Sequence, residues 1–268
     1  MPGARPRYPT KAEFRGNFVR GYLEPDNATE LVVDPASEVA TMRMRHLDVA
    51  MASTTLGGKG ALYLEFGVQQ AEALTHLASR NRSLRWHGFD SFAGMPADDP
   101  RDEERARRKP LSWRRGGYTN VGRLPKVPRN ALLHRGWFNQ SVPLFLSAIQ
   151  QYGYQGHRDP FVAFAHFDAD LYSSTMDVLD ALGSRCMLRR GSVLAFDELF
   201  GHPSVKQLEW RALLDAAHKW CFRFRFLSWM LHPLSKYGRA AVRVALPSDC
   251  RSCQTCRPGH GWCWVPPG

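Results

Sequence analysis

Residues 161–198 read FVAFAHFDADLYSSTMDVLDALGSRCMLRRGSVLAFDE, and their pattern decides the fold. Phe161–Asp168 is apolar and too short for a helix, so it is a predicted strand buried on both faces. From Ser173 to Leu182 the apolar residues recur at helical spacing, and Ser192–Asp197 is again a short apolar run. A strand, a helix and a second strand in such close succession make a βαβ unit, with parallel strands and a right-handed crossover.

The same alternation extends in both directions. Ala61–Val68, Leu84–Asp90, Ala131–Gly136, Arg223–Trp229 and Ala240–Leu246 are further predicted strands, and Gln69–Arg80, Val142–Tyr152 and Val205–Trp220 are predicted helices. One more helix is expected over Ser37–Thr55, with Val39, Met42, Leu47 and Met51 on one stripe. The expected fold class is α/β, a doubly wound, Rossmann-like, mainly parallel seven-stranded sheet with helices on both faces. Only Met230–Arg239 links the last two strands, so they should close the sheet as an antiparallel hairpin. Around this domain (35–246) the chain carries an N-terminal arm (1–34), a long basic insert (about 91–130) and a cysteine-rich tail (247–268).

The 268 residues, 44% hydrophobic and 23% charged, have a globular composition that excludes a fibre or a disulfide mini-protein. With no apolar run of about 18 residues and no secretory signal, a soluble, cytoplasmic protein without a membrane partner is expected. The formal charge is +11, and between Arg101 and Arg135 eleven basic residues stand against three acidic ones. Such a segment suits a phosphate, a nucleic acid or an acidic membrane surface, or is a solvated loop, and its length suits a lid, a binding loop or a disordered insert.

In an open parallel sheet ligands bind at the carboxyl ends of the strands. The first strand there reads Leu64-Glu65-Phe66-Gly67-Val68, and Gly67 is not followed by the further glycines of a dinucleotide fingerprint. A carboxylate with one close-approach glycine suits a ligand with an ammonium or sulfonium charge, such as S-adenosylmethionine; the same glycine also serves as a plain turn. Asp90 ends the second strand, 25 residues after Glu65, where an acidic side chain either accepts ribose hydroxyls or caps a turn. Trp137 and Phe138 follow the third strand and either stack on adenine or belong to the core. Asp168, Asp170, Asp197 and Glu198 converge from two successive strand ends. Clustered carboxylates repel unless a cation neutralises them, and all-oxygen ligands favour Mg2+, with Mn2+ or Ca2+ behind it. The alternative is that Asp170 caps the next helix and Asp197 and Glu198 face water.

In order along the chain, Leu64-Glu65-Phe66-Gly67-Val68, Gly88-Phe89-Asp90-Ser91-Phe92, Leu124-Pro125-Lys126-Val127-Pro128, Gly136-Trp137-Phe138, Asp168 to Thr175 and Phe196-Asp197-Glu198 resemble the motifs of the macrocin O-methyltransferase family. That family includes the methyltransferase of the novobiocin sugar. The resemblance spans about Thr41 to Val244. It implies a class I S-adenosylmethionine-dependent fold that methylates a hydroxyl, typically of a sugar, with the help of Mg2+. On the matching positions, Asp168, Asp197 and Glu198 would ligate the metal and Asp170 would be the general base. Glu65 and Gly67 would line the methionine end, Asp90 with Ser91 would hold the ribose, and Thr41 and Met42 would touch the cofactor from upstream. Where relatives often carry Gly and Ser or Thr after the first-strand glycine, Ala71 and Glu72 stand here.

The resulting expectation is methyl transfer to a small-molecule hydroxyl, with His166 and His202 as rival bases and the basic insert covering an anionic acceptor. Two other classes stay open, a nucleic-acid methyltransferase or binder and a non-catalytic binding module, and self-association is left open. Cys250, Cys253, Cys256 and Cys263, with His260, have a spacing that suits one Zn2+, part of an iron–sulfur run or a flexible, oxidation-prone tail.

Overall fold

The computed structural model describes residues 29–30, 38–102, 115–200, 208–231 and 238–246. In chain order the elements are β1 (Thr29–Glu30), α1 (Val39–Ala52), β2 (Ala61–Phe66), α2 (Glu72–Arg80), β3 (Trp86–Asp90), β4 (Ala131–Arg135), α3 (Phe138–Tyr152), β5 (Phe161–Phe167), α4 (Tyr172–Gly183), β6 (Leu188–Phe200), α5 (Glu209–Lys219), β7 (Arg223–Leu231) and β8 (Gly238–Leu246). They build one sheet in the order β1-β7-β8-β6-β5-β2-β3-β4. Strands β2 to β6 pair in parallel, and β8 is antiparallel to both β6 and β7. From β2 the chain winds outward through β3 to β4, then returns to β5 on the other side of β2. The switch point of this doubly wound sheet therefore lies between β2 and β5.

The seven expected strands and the antiparallel closing hairpin are all present, and Thr29–Glu30, within the expected arm, adds a two-residue eighth strand in parallel with Ser228 and Trp229 of β7. Two element boundaries differ from expectation. Helix α3 starts at Phe138 rather than Val142, with Trp137 extended as its N-cap and Pro143 inside the helix. In its first turn the Ser141 hydroxyl donates to the carbonyls of Gly136 and Trp137. Strand β6 is thirteen residues long and begins at Leu188, with a register irregularity against β5. The rest of the arm, the middle of the insert, His202 and the cysteine tail lie outside the described residues. No helix among the described residues is long and apolar enough to cross a membrane.

Alternation along the strands divides the core into two layers. Leu62, Leu64 and Phe66 pack with Val142, Leu146, Leu179 and Leu213 on the face covered by α3, α4 and α5. Ala61 and Tyr63 pack with Leu47, Ala50, Leu74 and Leu77 on the face of α1 and α2. At the carboxyl ends, Phe89, Phe66, Phe167 and Phe196 sit side by side on β3, β2, β5 and β6, with ring centroids 5.3, 5.1 and 4.7 Å apart. All four are fully buried. The next residues in sequence are Asp90, Gly67, Asp168 and Asp197, so this ladder is the floor beneath the strand ends.

Truncating the ladder should act on stability first. We expect Phe167→Ala to destabilise the fold by about 3–5 kcal/mol, the cost of emptying a phenylalanine site in a core. Urea unfolding followed by circular dichroism measures it, and a loss below about 1 kcal/mol would contradict the ladder's role.

Candidate functional site

A cleft of about 540 Å³ opens over the carboxyl ends of β2 to β6. Its walls include Gly67, Asp90, Ser91, Trp137, Phe138, Asp168, Asp170 and Glu198. Gly67 is required by two constraints at once. Its φ is +92°, and a Cβ there would lie 1.9 Å from the carbonyl oxygen of Asp168, where β2 and β5 pinch together. Asp90 Oδ2 accepts the Gln69 amide at 2.8 Å and Oδ1 accepts that of Phe92 at 2.6 Å. Each oxygen keeps acceptor capacity towards the cleft. Ser91 Oγ accepts the Ala93 amide and donates to the Gly94 carbonyl, which shapes the turn behind Asp90. Phe138 stands edge-on to Phe66 at 5.9 Å, so it is at once core and cleft wall.

Other expected residues fall elsewhere. Glu65 is buried on the α1 face of β2, opposite to Leu64 and Phe66, and does not line the cleft. Its carboxylate faces His166 Nδ1 at 3.9 Å. Burial raises its pKa, although His166 and Arg43 oppose this. Met42 is buried against Met230 and Thr41 is exposed near the start of α1, so neither reaches the cleft. Ala71 adopts φ +62° as the N-cap of α2, a backbone shape in which glycine is at ease.

The acidic strand ends do come together. Asp168, Asp170 and Glu198 line the cleft, whereas Asp197 is held behind it. Asp170 sits at φ +59°, a rarely populated conformation of the kind that gathers at functional sites. Its enclosure and the neighbouring Asp168 push its pKa up to about 8. Glu198 is raised well above the usual range by burial and by Asp170. Asp197 is held far below its ordinary value: burial would raise it, but Arg43 and Arg239 overcome that. His166 Nε2 lies 3.2 Å from Asp197 Oδ1, and between Asp197 and Glu65 it is raised to about 9 despite burial. It is therefore a protonated partner in the core rather than a free base.

Two residues that the sequence reading missed organise this rim. Arg43, one position beyond Thr41-Met42, reaches over from α1 to pair with Asp168 and with Asp197 Oδ2, the latter at 2.6 Å. Glu209, fully buried at the start of α5, accepts the amides of Ala169 and Glu198, both at 3.0 Å, one on each carboxylate oxygen. It clamps the ends of β5 and β6 to each other. An acidic residue in the first turn of an amphipathic helix was the available signal, but it is also an ordinary dipole feature.

A Mg2+ held by Asp168, Asp197 and Glu198 does not fit this arrangement. Both Asp197 oxygens already face cations, Arg43 on one and His166 and Arg239 on the other. Among the described residues, no group of three His, Cys, Asp or Glu side chains is arranged to hold a metal ion.

The insert forms a wall of the cleft through Met95, Asp98, Asp99, Arg101, Arg115 and Tyr118. It is pinned from both ends. Asp102, only 2% exposed, accepts the Ser173 amide at 2.9 Å and its hydroxyl at 2.6 Å at the start of α4. Arg101 pairs with Asp99 and with Asp177 of α4, both at 2.8 Å. On the return path Asn120 bonds to Gln69 and Gln70, and the Gly122 amide to the Phe92 carbonyl. Among the described residues, the insert's charged contribution to the cleft wall is Asp98, Asp99, Arg101 and Arg115.

No protein-family model matches the chain, and no curated protein matches it. Among solved structures it is similar to a precorrin-6y C5,15-methyltransferase from Geobacter metallireducens, at 11% identity and a TM-score of 0.39, over 74% of this chain and 85% of that one. The methyltransferase domain of a bacterial Hen1 is similar at 14% identity and TM-score 0.40, over 76% and 99%. Human N-acetylserotonin methyltransferase, solved in complex with SAM, is similar at 10% identity and TM-score 0.39; 77% of this chain spans 56% of that one.

Removing the clamp leaves two buried amides without acceptors. We expect Glu209→Ala to cost about 2–6 kcal/mol, at roughly 1–3 for each orphaned donor. Thermal unfolding reads this out, and an unchanged melting temperature would show that Glu209 is dispensable.

Proposed function

We propose that this protein is an S-adenosylmethionine-dependent O-methyltransferase acting on a hydroxyl of a small molecule, a sugar or glycosylated metabolite in keeping with the macrocin O-methyltransferase resemblance. One observation carries the reading: a single cleft at the switch of a doubly wound sheet joins a close-approach glycine and a ribose-type aspartate to a strained, high-pKa aspartate. Asp90, its oxygens oriented by two backbone amides, suits a pair of vicinal ribose hydroxyls. Trp137 and Phe138 offer aromatic faces for the base. Gly67 keeps the strand end bare, so that a ligand can approach the backbone. When bound, S-adenosylmethionine supplies an electrophilic methyl group on a sulfonium.

The chain's own part is to orient the hydroxyl and take its proton. Asp170 faces the cleft between Asp168 and Glu198 and is the general base of this reading. A carboxylate with a pKa of about 8 is a much better proton acceptor than an ordinary aspartate, at the cost of being protonated at lower pH. For the acceptor, the lining is rich in carboxylates at Asp98, Asp99, Asp168, Asp170, Asp177 and Glu198, and Arg101 is already committed to Asp99 and Asp177. Among the described residues, this wall suits a neutral polyol or an amine-bearing sugar.

Two outcomes test the proposal. In calorimetric titrations S-adenosylhomocysteine should bind the wild type, and Asp90→Ala should weaken it by at least about 10-fold, the worth of roughly one charge-assisted hydrogen bond. Absence of binding to the wild type would end the methyltransferase reading. With an accepted sugar, kcat should rise as pH increases through about 8, since the base must lose its proton first. Asp170→Asn should lower kcat about 100-fold or more and abolish that limb while leaving S-adenosylhomocysteine affinity unchanged. A pH limb that persisted in Asp170→Asn would assign the base elsewhere.

A further inference from the structure

We propose that Arg43 takes the place of a divalent cation at the acidic rim, so that this protein neutralises its carboxylates with a guanidinium of its own chain. The consequence for methyl transfer rests on the function proposed above; the consequence for metal binding does not. Four carboxylates meet at the ends of β5 and β6, and some cation must hold them there. The Arg43 side chain, 17% exposed, comes in from α1 and spans the two strands: Nη2 donates to Asp168 Oδ2, and Nε lies 2.6 Å from Asp197 Oδ2. The other oxygen of Asp197 faces His166 Nε2 at 3.2 Å and Arg239 Nε at 3.4 Å.

A Mg2+ shared by Asp168 and Asp197 would need their oxygens at about 2.1 Å in a near-octahedral shell. Arg43 already bridges these two side chains, and an ion placed beside it would meet a fixed positive charge at close range. Arginine suits the task because it stays protonated under all working conditions and its planar fork spans two acceptors. Its position is also fixed independently of any ligand, since α1 packs Leu47 and Ala50 into the core. The guanidinium therefore provides the neutralisation that keeps Asp168 and Asp197 together, and Asp170 and Glu198 line the cleft beside them.

The test is a Mn2+ titration followed by electron paramagnetic resonance on the full chain, beside calorimetry of S-adenosylhomocysteine with and without EDTA. Wild type should leave the free Mn2+ signal undiminished up to millimolar metal, and EDTA should change S-adenosylhomocysteine affinity by less than 2-fold. Arg43→Ala, which vacates the carboxylates, should gain Mn2+ binding at least 10-fold tighter than wild type, and adding Asp168→Asn should remove that gain. Wild-type binding of Mn2+ below about 100 µM that Asp168→Asn abolishes would overturn the proposal, as would a folded Arg43→Ala variant that gains nothing. If Arg43→Ala does not fold, the wild-type titration still decides. Arg43→Lys, which keeps the charge, should bind no Mn2+, and Mn2+ binding by it would count against the proposal. If S-adenosylhomocysteine fails to bind while Mn2+ is also refused, the cofactor reading falls and the assignment of Arg43 stands.

Discussion

The four-phenylalanine ladder across β3, β2, β5 and β6 is the constraint on which the rest of this structure depends. Because Phe89, Phe66, Phe167 and Phe196 pair in register across adjacent parallel strands, the residues that follow them must emerge at one level. A slip of one residue in any strand would turn its phenylalanine away from α3 to α5 and its site residue into the opposite face. Burial of the rings therefore sets the positions of Asp90, Gly67, Asp168 and Asp197 relative to one another. The hydrophobic energy of the core is in this way converted into the alignment of polar groups that have no strong attraction of their own.

Above that floor the difficulty is electrostatic. Desolvated carboxylates on neighbouring strands cannot all stay charged unless something opposes them. The structure divides them into two sets. Asp168 and Asp197 are ion-paired by Arg43, with Arg239 and His166 completing the surroundings of Asp197. Asp170 and Glu198 line the cleft, and burial together with the neighbouring carboxylates raises their pKa values. Glu209 adds a different kind of control, because its two oxygens tie one amide from each strand end. The same rim thus holds Asp197, kept charged by its cations, beside Asp168, Asp170 and Glu198, whose pKa values burial raises, that of Asp168 despite Arg43.

Among the described residues, the insert brings Asp98 and Asp99 to the cavity beside Arg101 and Arg115, and Arg101 is paired with Asp99 and Asp177. Asp102, buried against Ser173, anchors the segment at the start of α4, where an acidic group is favoured by the exposed amides of a helix start. Anchoring at Asp102 and at Asn120 makes the described parts of the insert a built wall of the cleft.

The order of strands and helices, the antiparallel closing hairpin and the carboxyl-end location of the cleft were legible in the sequence, because periodicity and βαβ handedness are local rules. So was the convergence of Asp90, Gly67 and the two acidic strand ends, since spacing by one βαβ unit places them on neighbouring strands. The eighth strand was not legible, because Thr29–Glu30 is too short to carry a pattern and exists only by pairing with β7. Nor could spacing tell that Glu65 and Met42 turn away from the cleft while Arg43 pairs with Asp168 and Asp197. Only the tertiary structure decided which cation meets the carboxylates, since Arg43 and Asp168 are 125 residues apart and nothing local links them. Secondary structure follows from short-range pattern, whereas the charge state of a buried group follows from every neighbour the fold brings to it.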